Sequence, residues 1–123
     1  MSMKDKNNKI LEDDNSHIYK HLKGKIEALK NARVLVTGSD GFLGQTIISF
    51  LNFLNRTKFG EGEQIGIIAV DYRDCDICGN INNFITEGVV DYIINCAGIA
   101  SPKKYLKLPL KTLDVSYIGT KNI

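Results

Sequence analysis

The sequence predicts an α/β fold: part of a doubly wound, mainly parallel sheet, with an N-terminal helical extension. Three observations carry this. The apolar run Val34-Leu35-Val36 passes through Thr37-Gly38-Ser39-Asp40-Gly41-Phe42-Leu43-Gly44 into a second apolar, helix-like run that reaches Leu54. Another buried-strand run, Ile65-Gly66-Ile67-Ile68-Ala69-Val70, ends in Asp71. A third, Val89-Val90-Asp91-Tyr92-Ile93-Ile94-Asn95-Cys96-Ala97, is nearly continuous in apolar residues, as a strand covered on both faces requires. Strand-like runs separated by helical ones give parallel strands joined by crossovers.

The elements follow in order. Residues 1–15 are polar and charged and read as a weakly ordered tail. Residues 16–31 read as an amphipathic helix, with Ile18, Leu22, Ile26 and Leu29 on one face and Gly24 weakening it. Residues 33–37 are the first strand, 42–55 the first helix of the sheet, 64–70 the second strand and 89–97 a further strand. Between Asp71 and Val89 there is room for a short strand or turn and a fragment of helix over 76–85, not for both at full size. A helical turn is expected over 103–108, before Pro109, and another helix over 112–123. The domain organisation is therefore a tail and helix over residues 1–31, then one nucleotide-binding unit over residues 32–123.

Composition narrows the function classes. The 123 residues carry a formal charge of only +2, with no basic block interleaved with aromatics, so a nucleic-acid partner is not expected. No apolar run is long enough to span a bilayer, and the N-terminus lacks the apolar core of a signal peptide, so no membrane partner and a cytoplasmic location are expected. The three cysteines, Cys75, Cys78 and Cys96, are expected as free thiols. Cys75 and Cys78 form a C-x-x-C pair, which suits a redox couple or half a zinc site, but Cys96 alone does not complete four ligands. His17 and His21 lie one helical turn apart. The zinc-protease pattern needs a Glu after the first His, where Ile18 stands, and the pair reads as a solvated helix face. No metal site is expected.

The glycine-rich turn is the chemically informative feature. Gly-x-x-Gly-x-x-Gly by itself also describes an ordinary turn. Placed between a strand and a helix, it is the arrangement that binds the pyrophosphate of a dinucleotide. Gly38 permits the sharp turn, Gly41 lets the backbone approach the phosphates, and Gly44 lets the helix pack closely on the sheet. The helix N-terminus presents N–H groups and a positive dipole end to the anion. Asp71, 27 positions after Gly44, stands where an acid accepts the adenosine ribose hydroxyl, the longer spacing being taken up by the loop at 57–63. The fold is thus a partial Rossmann sheet.

With these residues, the chain resembles the extended short-chain dehydrogenase/reductase family, and within it the nucleotide-sugar epimerase, dehydratase and UDP-glucuronate decarboxylase branch. The resemblance rests on Thr37-Gly38-Ser39-Asp40-Gly41-Phe42-Leu43-Gly44, on Val70-Asp71, on the segment from Asp91 to Pro102, and on Gly119-Thr120-Lys121-Asn122. It covers residues 33–123. It implies NAD as cofactor, with the backbone N–H groups of Phe42 and Leu43 on the pyrophosphate, Asp71 on the ribose, Asp76 and Ile77 beside the adenine, and Ala97 and Gly98 along the dinucleotide. The charge of Asp71 favours NAD, whereas Arg73 would accept the 2′-phosphate of NADP. It also implies a nucleotide-sugar substrate, whose hydroxyl is oxidised to a ketone and later reduced again; a homo-oligomer is compatible with it. Ala100-Ser101-Pro102 leans toward the decarboxylase and dehydratase members.

The chain departs from that pattern in three places. The segment from Asp71 to Asp76 is short, and Ser116 stands where many members have Asn. The Tyr-x-x-x-Lys pair of the family, a general acid/base and the lysine that lowers its pKa, belongs on a later helix and would fall beyond residue 123. Tyr19 with Lys23 and Tyr117 with Lys121 have the spacing but stand on the wrong helices, so no catalytic residue is expected here. A second reading, from a different class, is a non-catalytic remnant or a dinucleotide- or partner-binding module. A third, a thiol protein built on C-x-x-C, conflicts with the glycine-rich turn.

Overall fold

A computed structural model describes residues 3–71 and 88–123. The elements are α1 (Met3–Leu22), a 3-10 turn (Ile26–Leu29), β1 (Arg33–Thr37), α2 (Phe42–Thr57), β2 (Gly66–Val70), β3 (Tyr92–Asn95), α3 (Pro102–Lys107) and α4 (Pro109–Asn122). The three strands form one parallel sheet in the order β2-β1-β3. Arg33 pairs with Gly66 and Thr37 with Val70 on one side of β1; Val34 pairs with Tyr92 and Thr37 with Asn95 on the other. The expected α/β architecture, a partial Rossmann-like sheet flanked by helices, is what the chain adopts.

β1 sits in the middle of the sheet, and Val34, Leu35, Val36 and Thr37 are all buried. Val34 and Val36 face a core completed by Phe50, Leu51, Phe53 and Leu54 of α2, with Ile26, Phe59 and Ile65 closing its ends. α2 crosses from β1 to the parallel β2, and its apolar residues recur at helical spacing on the sheet side. Leu35, of opposite pleat parity, is fully buried as well, so β1 is covered on both faces.

The observed bounds correct several expectations. β2 begins at Gly66, not at residue 64, because the Asn55 side chain takes both backbone groups of Ile65: its Nδ2 donates to Ile65 O at 3.0 Å and its Oδ1 accepts from Ile65 N at 2.8 Å. The ladder then starts with Gly66 N donating to Ala32 O. The strand expected over 89–97 is ordered as a ladder only over Tyr92–Asn95, and it is not covered on both faces: Tyr92, Ile93 and Asn95 are exposed. Two causes are visible. Asp91 Oδ2 accepts the Arg33 N–H at 2.7 Å, so a side chain replaces the ladder at its start. Among the described residues β3 pairs with β1 alone, which makes it an edge.

The N-terminal extension differs most. Residues expected as a tail belong to α1, which runs from Met3 to Leu22, and the helix expected over 16–31 stops before Gly24 and resumes as the 3-10 turn. α1 is held by tertiary contacts. Asn15, buried, donates to Ser49 Oγ at 3.0 Å, Glu12 pairs with Arg56, and Tyr19 lies against Phe53 with the Lys58 ammonium 4.2 Å from its ring centroid. Ile26, freed from the helix, inserts into the core. The chain re-enters the sheet through Asn31, whose φ of 59° places it in the left-handed region. Lys30 beside it bridges Glu27 and Glu63 at 2.9 and 3.1 Å.

α3 and α4 each carry a proline in the first turn, where its missing N–H costs nothing. α4 starts at Pro109, three residues earlier than the helix expected over 112–123. Arg73, Cys75, Asp76, Ile77 and Cys78, and the short elements expected over 76–85, lie outside the described residues. No described helix is long and apolar enough to cross a membrane.

Candidate functional site

The C-terminal ends of β1, β2 and β3 converge on the turn between β1 and α2. Gly38 has a φ of 64°, which favours glycine, and a Cβ there would lie 2.6 Å from both the carbonyl carbon and oxygen of Cys96. Gly44, buried in the first turn of α2, would place a Cβ 2.2 Å from Gly38 O. These two glycines are demanded by the fold: one lets the turn press on the chain leaving β3, the other seats α2 on the turn.

Gly41 is different. It is the N-cap residue of α2, with φ −75° and ψ 166°, a conformation open to any residue. A Cβ there meets only Gly38 O, at 3.2 Å, and the position is exposed. No side chain caps α2, and its first turn holds no acid. Helix geometry leaves the N–H groups of Phe42, Leu43 and Gly44 without intrahelical acceptors, whereas Gln45 N already donates to Gly41 O at 2.9 Å. Phe42 and Leu43 turn their side chains outward, 86% and 62% exposed, so their backbones line the helix mouth. Uncapped donors, the positive end of the helix dipole and a side-chain-free residue at the lip together suit a phosphate-bearing ligand.

Asp71 lies directly against this turn. It follows the last residue of β2 and is buried, and its Oδ2 accepts the Asp40 N–H at 3.1 Å. Ser39 N donates to Val70 O at 3.2 Å, so the end of β2 grips the turn at two successive residues. Gln45 Nε2 donates to Asp40 O at 3.0 Å and closes the loop onto α2. The sequence-predicted Gly38, Gly41, Phe42, Leu43, Gly44 and Asp71 therefore form one cluster.

Ala97 and Gly98 leave the end of β3 on the other side of β1. Ala97 N donates to Asn95 Oδ1 at 3.2 Å and more weakly to Thr37 Oγ1 at 3.4 Å. A Cβ on Gly98 would meet nothing within 4 Å, so packing does not call for glycine there. Sequence reasoning missed the polar chain behind these two residues. The buried Thr37 hydroxyl donates to Asn95 Oδ1, Asn95 Nδ2 donates to Thr120 Oγ1 at 2.9 Å, and the Thr120 hydroxyl donates to Ser116 O at 2.6 Å. This chain ties β1, β3 and α4 beneath the site. Its only trace in the sequence is that Thr37 and Asn95 are polar residues at the ends of apolar strands.

The model of the NAD dependent epimerase/dehydratase family matches residues 34–123, which is most of the chain and all of the sheet but Arg33. The chain belongs to that family. NAD(H) is accordingly the cofactor, and the glycine turn has the donors and open lip that its pyrophosphate requires. No curated protein and no solved structure matches the chain.

The two internal Tyr-x-x-x-Lys pairs lie at the end of α1 and on α4. Tyr19 packs on Phe53 beneath Lys58. Tyr117 stands on α4 with 68% of its surface exposed. Cys96 is a free, partly buried thiol whose carbonyl packs against Gly38.

Proposed function

We propose that residues 32–123 are the cofactor-binding domain of a nucleotide-sugar epimerase, dehydratase or decarboxylase, with residues 1–31 as an extension braced on α2. The observation that carries this reading is the uncapped N-terminus of α2, opened by a glycine at an exposed position with ordinary backbone angles and set against the buried Asp71 carboxylate. In this reading Phe42 and Leu43 donate backbone N–H groups to the pyrophosphate, and Gly41 leaves space for it. Asp71 orients the Asp40 backbone and faces the adenosine ribose. Ala97 and Gly98 border the nicotinamide half. Asp76 and Ile77 belong beside the adenine by resemblance alone. Bound NAD supplies a reversible hydride acceptor for a sugar hydroxyl. Ala100-Ser101-Pro102 at the start of α3 favours the UDP-glucuronate decarboxylase-like and dehydratase members over other branches.

A second reading is a dinucleotide- or partner-binding module without its own acid/base pair. It is favoured by the placement of Tyr19 in a packing contact and of Tyr117 in solvent. Calorimetric titration of the 123-residue chain with NAD tests both. Saturable binding, lost in Gly41→Val and in Asp71→Ala while the far-ultraviolet circular dichroism is kept, supports a working dinucleotide site. A folded chain that takes up no NAD rules that site out.

A further inference from the structure

His17 and His21 stand four residues apart on α1, both exposed and away from the glycine turn. Their ring centroids are 4.6 Å apart, with the ring planes inclined at 48°. His21 Nδ1 lies 2.9 Å from the carbonyl oxygen of His17. A carbonyl oxygen only accepts, so Nδ1 carries the hydrogen, and the lone pair of the neutral ring is on Nε2. Metal-binding imidazoles are fixed in this way, one ring nitrogen donating to a carbonyl and the other facing the ion. Helical side chains at i and i+4 share one face, which brings both rings to the same volume of solvent.

We infer that His17 and His21 form a two-imidazole site for a borderline divalent transition ion such as Ni2+, Cu2+ or Zn2+. Imidazole nitrogen suits these ions, whereas Mg2+ and Ca2+ require oxygen ligands. Among the described residues no cluster of three or more His, Cys, Asp or Glu side chains could hold a metal, so water fills the remaining positions. Ile18 stands where a zinc protease has its glutamate, so the site binds an ion and has no general base for hydrolysis. The spacing alone describes a solvated helix face; the ring contact and the Nδ1 hydrogen bond distinguish this pair from one.

The test is a calorimetric titration with Ni2+ on the full 123-residue chain carrying Cys75→Ser and Cys78→Ser, so that the C-x-x-C thiols do not compete. Proton NMR of the same samples locates the ion by paramagnetic broadening. The expected result is one ion per chain, with broadening centred on the two histidine rings. His17→Ala or His21→Ala should each weaken binding at least about tenfold, the lower bound seen even for outer-shell partners. Alanine is the best helix former, so helix content by circular dichroism should stay unchanged in both variants. Absence of Ni2+ binding, binding that survives His21→Ala, or broadening centred on other residues would overturn the proposal.

Discussion

Gly38, Gly41 and Gly44 lack the same atom for different physical reasons, and substitution separates them. A Cβ on Gly44 would run into the backbone at Gly38 and Ser39, which no side-chain rotation relieves. Gly44→Ala should therefore destabilise the fold by about 1–3 kcal/mol, the usual penalty of overpacking, read as a lower urea midpoint. Gly41→Ala meets a single oxygen at 3.2 Å in a backbone conformation that alanine tolerates. It should lower the urea midpoint much less than Gly44→Ala does, while lowering NAD affinity by about tenfold or more, equivalent to about 1.4 kcal/mol, measured by calorimetry. Equal losses of stability in the two variants would remove the argument that Gly41 is reserved for a ligand. Glu63 offers a residue-level test of pH dependence. The Gly60 N–H and then Lys30 hold its carboxyl below the ordinary value of 4.5. A depressed folded-state pKa gives stability that is complete above the unfolded value and is lost as pH falls through the folded one. The Tm difference between the natural chain and Glu63→Gln should therefore be constant near neutral pH and shrink below pH 4.5.

At the scale of elements, what the sequence reveals depends on whether local pattern or tertiary contact sets the boundary. β1 and α2 were legible because β1 is a short continuous apolar run, α2 carries apolar residues at helical spacing, and the glycines between them mark where one gives way to the other. The start of β2 was not, since the apolar run already includes Ile65. Only the folded chain brings Asn55 across to take the N–H and C=O of Ile65. Asn55→Ala leaves both of those buried backbone groups without their partner and should cost about 1–3 kcal/mol by denaturant unfolding. Asn55→Asp keeps the acceptor for Ile65 N but sets a carboxylate oxygen against Ile65 O, so at neutral pH its cost should be no smaller. α1 was misread for the same reason. Its first half has no apolar stripe, and Glu12 and Asn15 find their partners, Arg56 and Ser49, on α2. The site followed the same division. The glycines and Asp71 were legible from type and spacing, but the Thr37, Asn95 and Thr120 chain joins residues too far apart in sequence for any local pattern to link them.

At the scale of the whole molecule, the apolar core cluster of the described residues lies between β1 and α2, closed by Ile26, Phe59 and Ile65 and backed by α1. By contrast, α3 and α4 present Leu106, Leu110, Leu113 and Tyr117 to solvent, each more than 60% exposed. Two chemically identical substitutions should therefore differ widely. Leu54, 0% exposed, touches the centre of the cluster, and Leu54→Ala removes its transfer energy and leaves a cavity, at about 2–5 kcal/mol. A domain holds only about 5–15 kcal/mol in total, so this single change should lower the urea midpoint severely or abolish the transition. Leu110, 76% exposed, should change stability by no more than about 0.5 kcal/mol when replaced by alanine. Circular dichroism through a urea titration of both variants decides the matter. A large loss for Leu110→Ala would mean that the apolar surface of α3 and α4 is buried in solution against something else. A small loss for Leu54→Ala would mean that α2 does not carry the core.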